Sequence, residues 1–233
     1  MEVAHLALPS LVDYPGKVAG VVWTVGCNLR CPFCYNAELV LPERAATLPR
    51  RGEEEVLSLL AARARLLDGV VVTGGEPTLH PDLPGFLGRV RELGLLVKLD
   101  TNGTRPEVVA ELLRARLVDY VALDVKAPFP RYPEYVGRTD AATSVRETIA
   151  VVRARAPDYE FRTTVAPGLT ADDLMAIAHE VRGAQRFVLQ PFVVPEGKAL
   201  VDETWRGRPA LGVEELRRLV PEIRKCVPVE VRA

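Results

Sequence analysis

The sequence predicts an α/β fold of repeated strand–helix units around a parallel sheet, and three observations carry that expectation. Short Val-rich apolar runs alternate with amphipathic stretches along most of the 233 residues, the pattern of βα units. Glycine and polar turns punctuate the alternation where each run ends. Residues of unusual chemistry follow the runs, as they do where a βα fold gathers its ligands at the carboxyl ends of its strands. Six such units fit either an open doubly wound sheet or an incomplete (β/α) barrel.

The elements follow in order. Val18 to Val25 is the first strand, ending at Gly26 and a cysteine loop, and the polar stretch Pro42 to Arg51 leads to a helix over Glu53 to Leu67. Gly69 to Thr73 is a fully apolar strand stopped by Gly74-Gly75. A helix over Leu83 to Leu93 enters through Pro81-Asp82 and closes at Gly94. Leu95 to Leu99, Asp119 to Val125, Glu160 to Val165 and Arg186 to Gln190 are the remaining strands. Helices over Pro106 to Arg116, Thr143 to Arg155 and Thr170 to Arg182 separate them. Thr170 is placed as an N-cap, with Asp172 and Asp173 in the first turn, where the helix dipole favours acids. A last helix, Val213 to Cys226, precedes a β-prone tail, Val227 to Val231. The longest loops expected are Leu39 to Gly52 and Val193 to Gly212. With no linker visible, the chain reads as one domain over 1–233, with a core over about 17–192 and a C-terminal helix and tail over about 212–233.

Lys plus Arg number 30 against 31 for Asp plus Glu. Phosphate binding usually leaves a basic excess, so nucleic acid is not the expected partner. No run approaches the ~18 apolar residues of a membrane span, and Glu2 and broken apolar runs do not make a secretion signal. A cytoplasmic protein without a membrane partner is expected. In that reducing setting clustered cysteines point to metal or redox chemistry.

The cysteine loop reads GCNLRCPFCYN, with Cys27, Cys31 and Cys34 in a C-x3-C-x2-C spacing. Thiolates suit iron–sulfur clusters and zinc. A cubane has four irons, so three cysteines leave one iron open to a small molecule. Structural zinc wants a fourth Cys or His; His5, His80 and His179 lack finger spacing, and Cys226 lies far along the chain. Gly74-Gly75-Glu76-Pro77 offers glycines that let backbone approach a ligand and an acid that can meet an ammonium group. Alone it is an ordinary strand-to-helix turn.

With its aromatic follower, the cysteine loop resembles the cluster loop of the radical S-adenosylmethionine (radical SAM) superfamily, and GGEP after the second strand matches that family's motif for the AdoMet amino group. The resemblance implies a [4Fe–4S] cluster on Cys27, Cys31 and Cys34 whose open iron chelates S-adenosyl-L-methionine, reductive cleavage of which yields a 5′-deoxyadenosyl radical. It implies contacts to AdoMet from Phe33, Tyr35, Gly74, Gly75 and Glu76. Within the superfamily the chain resembles the glycyl-radical-enzyme activases, nearest to the anaerobic ribonucleoside-triphosphate reductase activating proteins, through Ser10–Gly16 (SLVDYPG), Asp100-Thr101-Asn102-Gly103 and Leu123-Asp124-Val125-Lys126. That narrower likeness places Asp100, Asn102, Asp124, Lys126 and Arg162 beside AdoMet, with Lys126 on its carboxylate. It also implies a monovalent cation site on Asp100, Thr101 and Asp124. Two positions depart from the activases: Gln190-Pro191-Phe192-Val193 carries no His after the sixth strand, and Tyr35 stands where many have His. A second cysteine cluster is missing, which excludes the activases with a ferredoxin-like insert.

The fold expected is thus a partial (β/α)6 barrel of the radical SAM type, open on one side. The reaction expected is removal of a hydrogen atom from a glycine of a partner, such as anaerobic ribonucleotide reductase, with flavodoxin or ferredoxin as reductant. Two rivals remain: a radical SAM enzyme acting on a small molecule such as a pterin in deazapurine synthesis, and a non-catalytic zinc-binding scaffold. His80 reads as a helix cap, His179 as part of a solvated face, and Trp23 and Cys226 as core. The helical arginines (Arg63, Arg65, Arg114, Arg116, Arg153, Arg155) read as solvated faces.

Overall fold

In the computed structural model, which describes residues 1–232, the chain runs β1 (Val3–Ser10), β2 (Ala19–Thr24), α1 (Ala37–Val40), α2 (Pro42–Ala45), α3 (Glu53–Ala61), β3 (Gly69–Gly74), α4 (Leu83–Glu92), β4 (Leu96–Thr101), α5 (Pro106–Arg114), β5 (Tyr120–Asp124), α6 (Tyr132–Val136), α7 (Ala141–Arg155), β6 (Asp158–Val165), α8 (Ala171–Glu180), β7 (Phe187–Pro191), α9 (Val213–Ile223) and β8 (Val229–Val231). The strands form one sheet in chain order. β1 pairs antiparallel with β2 and every later pair is parallel. A doubly wound sheet reverses its strand order at a switch point. This order never reverses, so the chain adopts the barrel alternative, left open between β1 and β8.

Alternation along the strands sorts side chains to the two faces of the sheet. Ala19, Val21, Val71, Tyr120 and Ala122 pack together with Tyr14 on the inner face. Val22, Val70, Val72, Val121 and Leu123 join the larger core beneath the helices. The helices present apolar faces to that core at i, i+3 and i+4: Val109, Leu112 and Leu113 on α5, and Leu174, Ile177 and Ala178 on α8. Thr170 caps α8 in a reciprocal box with Asp173, as its sequence predicts. Tyr14, from the SLVDYPG segment, is buried edge-on against Tyr120 with ring centroids 5.7 Å apart. Tyr14 therefore fills the amino-terminal end of the barrel lumen, while Leu11 and Val12 of the same motif are exposed.

Several element boundaries differ from expectation. The strand expected first is second, because Val3–Ser10 already forms an edge strand. The helix expected over Glu53 to Leu67 stops at Ala61 and gives way to a 3-10 turn over Ala64–Leu66. The loop Leu39 to Gly52 contains α2 and borders α1. A short extra helix, α6, precedes α7, and α9 ends at Ile223, short of Cys226. The β-prone tail pairs with β7 as β8, so the sheet has eight strands where six were expected.

Candidate active site

At the carboxyl ends of the strands lies a cavity of about 580 Å³, lined by Cys27, Cys31, Cys34, Gly74, Asp100 and Lys126 among others. A volume of several hundred Å³ is the size of a small-molecule site. The sequence-predicted residues converge here: Phe33, Tyr35, Gly75, Glu76, Thr101, Asn102, Asp124 and Arg162 also line it. All but Arg162, which lies within β6, arrive on the end of a strand or on the loop after it, which is what a parallel barrel does with its ligand groups.

The cysteine loop leaves β2 and is held from several directions. Gly26 N donates to Leu39 O at 2.8 Å, and Arg30 N to Val136 O at 2.9 Å. The Arg30 guanidinium donates to the carbonyls of Cys27 and Leu29. His80 Nε2 lies 3.0 Å from Val25 O, so this histidine anchors the strand end and does not cap α4. Asn28, Asn102 and Thr104 form a side-chain network that joins the loop to the end of β4. Two N–H groups reach the Cys27 sulfur, Leu29 N at 3.4 Å and Asn102 Nδ2 at 3.6 Å.

The stretch after β7, expected as a long loop, is a strap across the cysteine loop. Val201 N donates to Cys34 O and Asp202 N to Pro32 O, both at 3.0 Å. Lys198 pairs with Glu38. Trp205 packs against Phe33 and Tyr135 with centroids 6.1 and 5.6 Å away. Phe33 is buried in this aromatic cluster, so its ring is committed to packing. Tyr35, 41% exposed, also lines the cavity. Trp205 was not singled out in the sequence, where nothing periodic surrounds it.

Gly74 and Gly75 are required by close backbone contact. Gly74 has φ +121°, and a Cβ there would sit 2.3 Å from Thr24 N; one on Gly75 would sit 2.0 Å from Gly26 O. Glu76 is wholly buried, and its carboxylate accepts from Thr78 N and Oγ1, Thr101 Oγ1 and Asn102 N. Burial pushes its pKa up against those hydrogen bonds. Glu76 therefore ties the end of β3 to the end of β4, a role the sequence reading, which aimed it at an ammonium, did not foresee.

The floor of the cavity is a chain of ion pairs. Lys98 pairs with Asp100 Oδ1; Asp100 Oδ2 accepts from Arg162 Nη1 at 2.9 Å; Arg162 Nε donates to Asp124 Oδ1 at 3.0 Å; Asp124 Oδ2 accepts from Lys126 Nζ at 2.9 Å. Although burial works the other way, Arg162 and Lys126 hold Asp124 down at about 2. Burial alone would lower the Lys126 pKa, but Asp124 more than offsets it. Asp100, Thr101 and Asp124, the residues named for a cation site, have protein partners here. Both carboxylates already face cationic side chains, and the Thr101 hydroxyl donates to Glu76.

The three thiols fit an iron–sulfur cluster. They share one cavity wall, and burial pushes Cys27 up to about 11, Cys31 up to about 12 and Cys34 upward too. A thiolate there needs a positive partner such as an iron. Among the described residues no three His, Cys, Asp or Glu group closely enough to hold a single metal ion. Cys226 lies instead against His179, 3.8 Å from its Nε2. Both had been read separately, as core and solvated face.

Residues 21–181 match the Radical SAM superfamily. The chain is 34% identical over 216 residues, 90% of its length and 86% of the relative's, to a protein of Methanocaldococcus jannaschii provisionally named a glycyl-radical enzyme activating enzyme. It is 31% identical over 204 residues to the GTP 3',8-cyclase of Streptomyces coelicolor, covering 81% of this chain and 57% of that one. Among solved structures it resembles Streptococcus suis SuiB bound to its precursor peptide SuiA, with TM-score 0.66 and 15% identity over 91% of the chain. SuiB bound to S-adenosylmethionine matches with TM-score 0.65. The chain spans about half of SuiB, 48% and 52% in the two structures. Enzymes of this family use a [4Fe–4S] cluster and S-adenosylmethionine, which agrees with the three thiols in the cavity wall. The chain belongs to the Radical SAM superfamily.

Proposed function

We propose that this radical SAM enzyme activates a glycyl-radical partner, taking a hydrogen atom from a glycine of an enzyme such as anaerobic ribonucleotide reductase. The observation that carries the reading is the similarity over 90% of the chain to the archaeal protein provisionally named for that role. The gap between β1 and β8 supports it, because a protein loop needs an open approach to a buried reacting atom.

Cys27, Cys31 and Cys34 would hold the cluster, and cluster and AdoMet together supply the hydrogen-abstracting chemistry when reduced. Lys126, which ends the ion-pair chain, and Arg162, which also lines the cavity, would receive the AdoMet carboxylate. The backbone at Gly74 and Gly75 would meet its amino group, with Glu76 and Asn102 fixing that wall. Tyr35 would lie along the adenine, with Phe33 supporting the loop from behind. Flavodoxin or ferredoxin would supply the electron, in the cytoplasm. Among the described residues no helix is long and apolar enough to cross a membrane.

The test is AdoMet cleavage by the reduced protein, with and without the reductase from the same organism. Cleavage coupled to the reductase supports the activase reading. A second reading, action on a small molecule, is favoured by the likeness to a GTP cyclase. Robust coupled turnover of such a molecule with no partner present would establish it instead.

A further inference from the structure

Lys98 is a buried charge of the barrel interior that the reading above leaves unused. It lies at an inward position of β4, its register partners being Val71 and Tyr120. It is 1% exposed and points its ammonium past the Tyr120 ring, 5.9 Å from the centroid, to Asp100. A buried ammonium is costly unless it is paired, and Asp100 supplies the pair.

The ion-pair chain explains its presence. Lys98, Asp100, Arg162, Asp124 and Lys126 alternate in sign across β4, β6, β5 and the segment after β5. Three cations face two carboxylates, so the chain carries one surplus positive charge, and its cavity end is Lys126. Nearby Glu160 does not cancel that surplus, because the Arg232 guanidinium binds both its oxygens and Tyr120 donates to it. Without Lys98, Asp100 would turn both oxygens on Arg162, Arg162 would slacken its hold on Asp124, and Asp124 would bind Lys126 harder. The surplus that attracts a ligand carboxylate would vanish.

We infer that Lys98 is a built-in counter-ion and positioning residue: its ammonium occupies the place of a dissolved monovalent cation, so a carboxylate ligand binds at Lys126 and Arg162 without one. The inference rests on the proposed AdoMet contact of Lys126. A vacated Lys98 site would draw a small cation from solution to Asp100, which gives the test its signature.

AdoMet affinity of the cluster-loaded protein is measured by equilibrium dialysis in KCl and in tetraethylammonium chloride, whose cation is too bulky to enter. Wild type binds equally in both. Lys98→Ala binds about tenfold or more weakly in the bulky salt and recovers in KCl or ethylammonium chloride. Lys98→Met, which fills the space with an uncharged chain, does not recover. A second readout needs no AdoMet: the melting temperature of cluster-loaded Lys98→Ala rises when KCl replaces the bulky salt, and that of wild type stays put. Wild-type affinity that depends on K⁺ overturns the inference without any variant. So does a Lys98→Ala protein that binds like wild type, or whose loss no small cation restores. Lys126→Ala separates the two ideas. Unchanged AdoMet affinity in that variant removes the Lys126 contact, while the salt-dependent melting of Lys98→Ala still reports on the counter-ion.

Discussion

Gly75 and Gly26 meet backbone to backbone: Glu76 N donates to Gly26 O at 2.8 Å, and a Cβ on Gly75 would lie 2.0 Å from that same oxygen. The contact joins the loop after β3 to the last residue before the cysteine loop. A family motif and a metal motif, separated by tens of residues in sequence, are thus one piece of structure.

Gly75→Ala must therefore push the two loops apart. Overpacking of this kind costs about 1–3 kcal/mol. Chemical denaturation should show that loss, and iron content after reconstitution should fall, because the displaced segment carries Cys27. A variant with wild-type stability and full iron would remove the proposed coupling.

Replacing Cys27, Cys31 or Cys34 by Ala should abolish the brown chromophore, since three thiolates are all the cavity wall provides. Cys226→Ala should leave chromophore and AdoMet cleavage intact, because that thiol lies against His179. Absorbance and iron analysis decide between these outcomes. Loss of cluster in Cys226→Ala would mean a fourth thiol ligand and no open iron.

Trp205→Ala should destabilise the protein by about 3–5 kcal/mol, the usual cost of truncating a buried large aromatic. It should also loosen the strap from Phe33 and Tyr135. The expected readout is faster loss of the cluster to a chelator, beyond the change in melting temperature. Wild-type chelation kinetics would show that the strap does not guard the cysteine loop.

Acid should expose the ion-pair chain. Asp124 is held near 2 in the folded protein by Arg162 and Lys126 despite burial, against about 3.9 when unfolded. Its folded pKa is the lower one, so its contribution is complete above about pH 4 and disappears as pH falls toward 2. The size is about 2 kcal/mol. Asp124→Asn, studied without the acid-labile cluster, should be less stable at neutral pH and show a flatter acid limb. An acid limb as steep as that of wild type would mean that Asp124 is not held by its partners.

Much of this arrangement was legible in the sequence because strand ends are punctuated. Gly26 and Gly74-Gly75 stop apolar runs, and the residues beside them fall in the cavity. β1 was not legible: VAHLALPS mixes His5, Pro9 and Ser10 into its alternation, which an edge strand tolerates and an interior strand does not. The strap was invisible because its grip uses backbone N–H groups of Val201 and Asp202 and one Trp, none of which leaves a period. The protein partners of Asp100, Asp124 and Glu76 were not read from the sequence. Sequence displays acids but not which neighbours turn toward them: Lys98 and Thr78 lie two residues from Asp100 and Glu76, while Arg162 and Thr101 arrive from other strands.

The most direct test of the central claim is electron paramagnetic resonance on the reduced, cluster-loaded protein mixed with AdoMet and the anaerobic reductase of the same organism. The account predicts a glycyl-radical doublet that disappears when the reductase's radical glycine is replaced by Ala. Absence of a radical on that reductase and on every other glycyl-radical enzyme of the organism, alongside robust turnover of a small molecule, would contradict it.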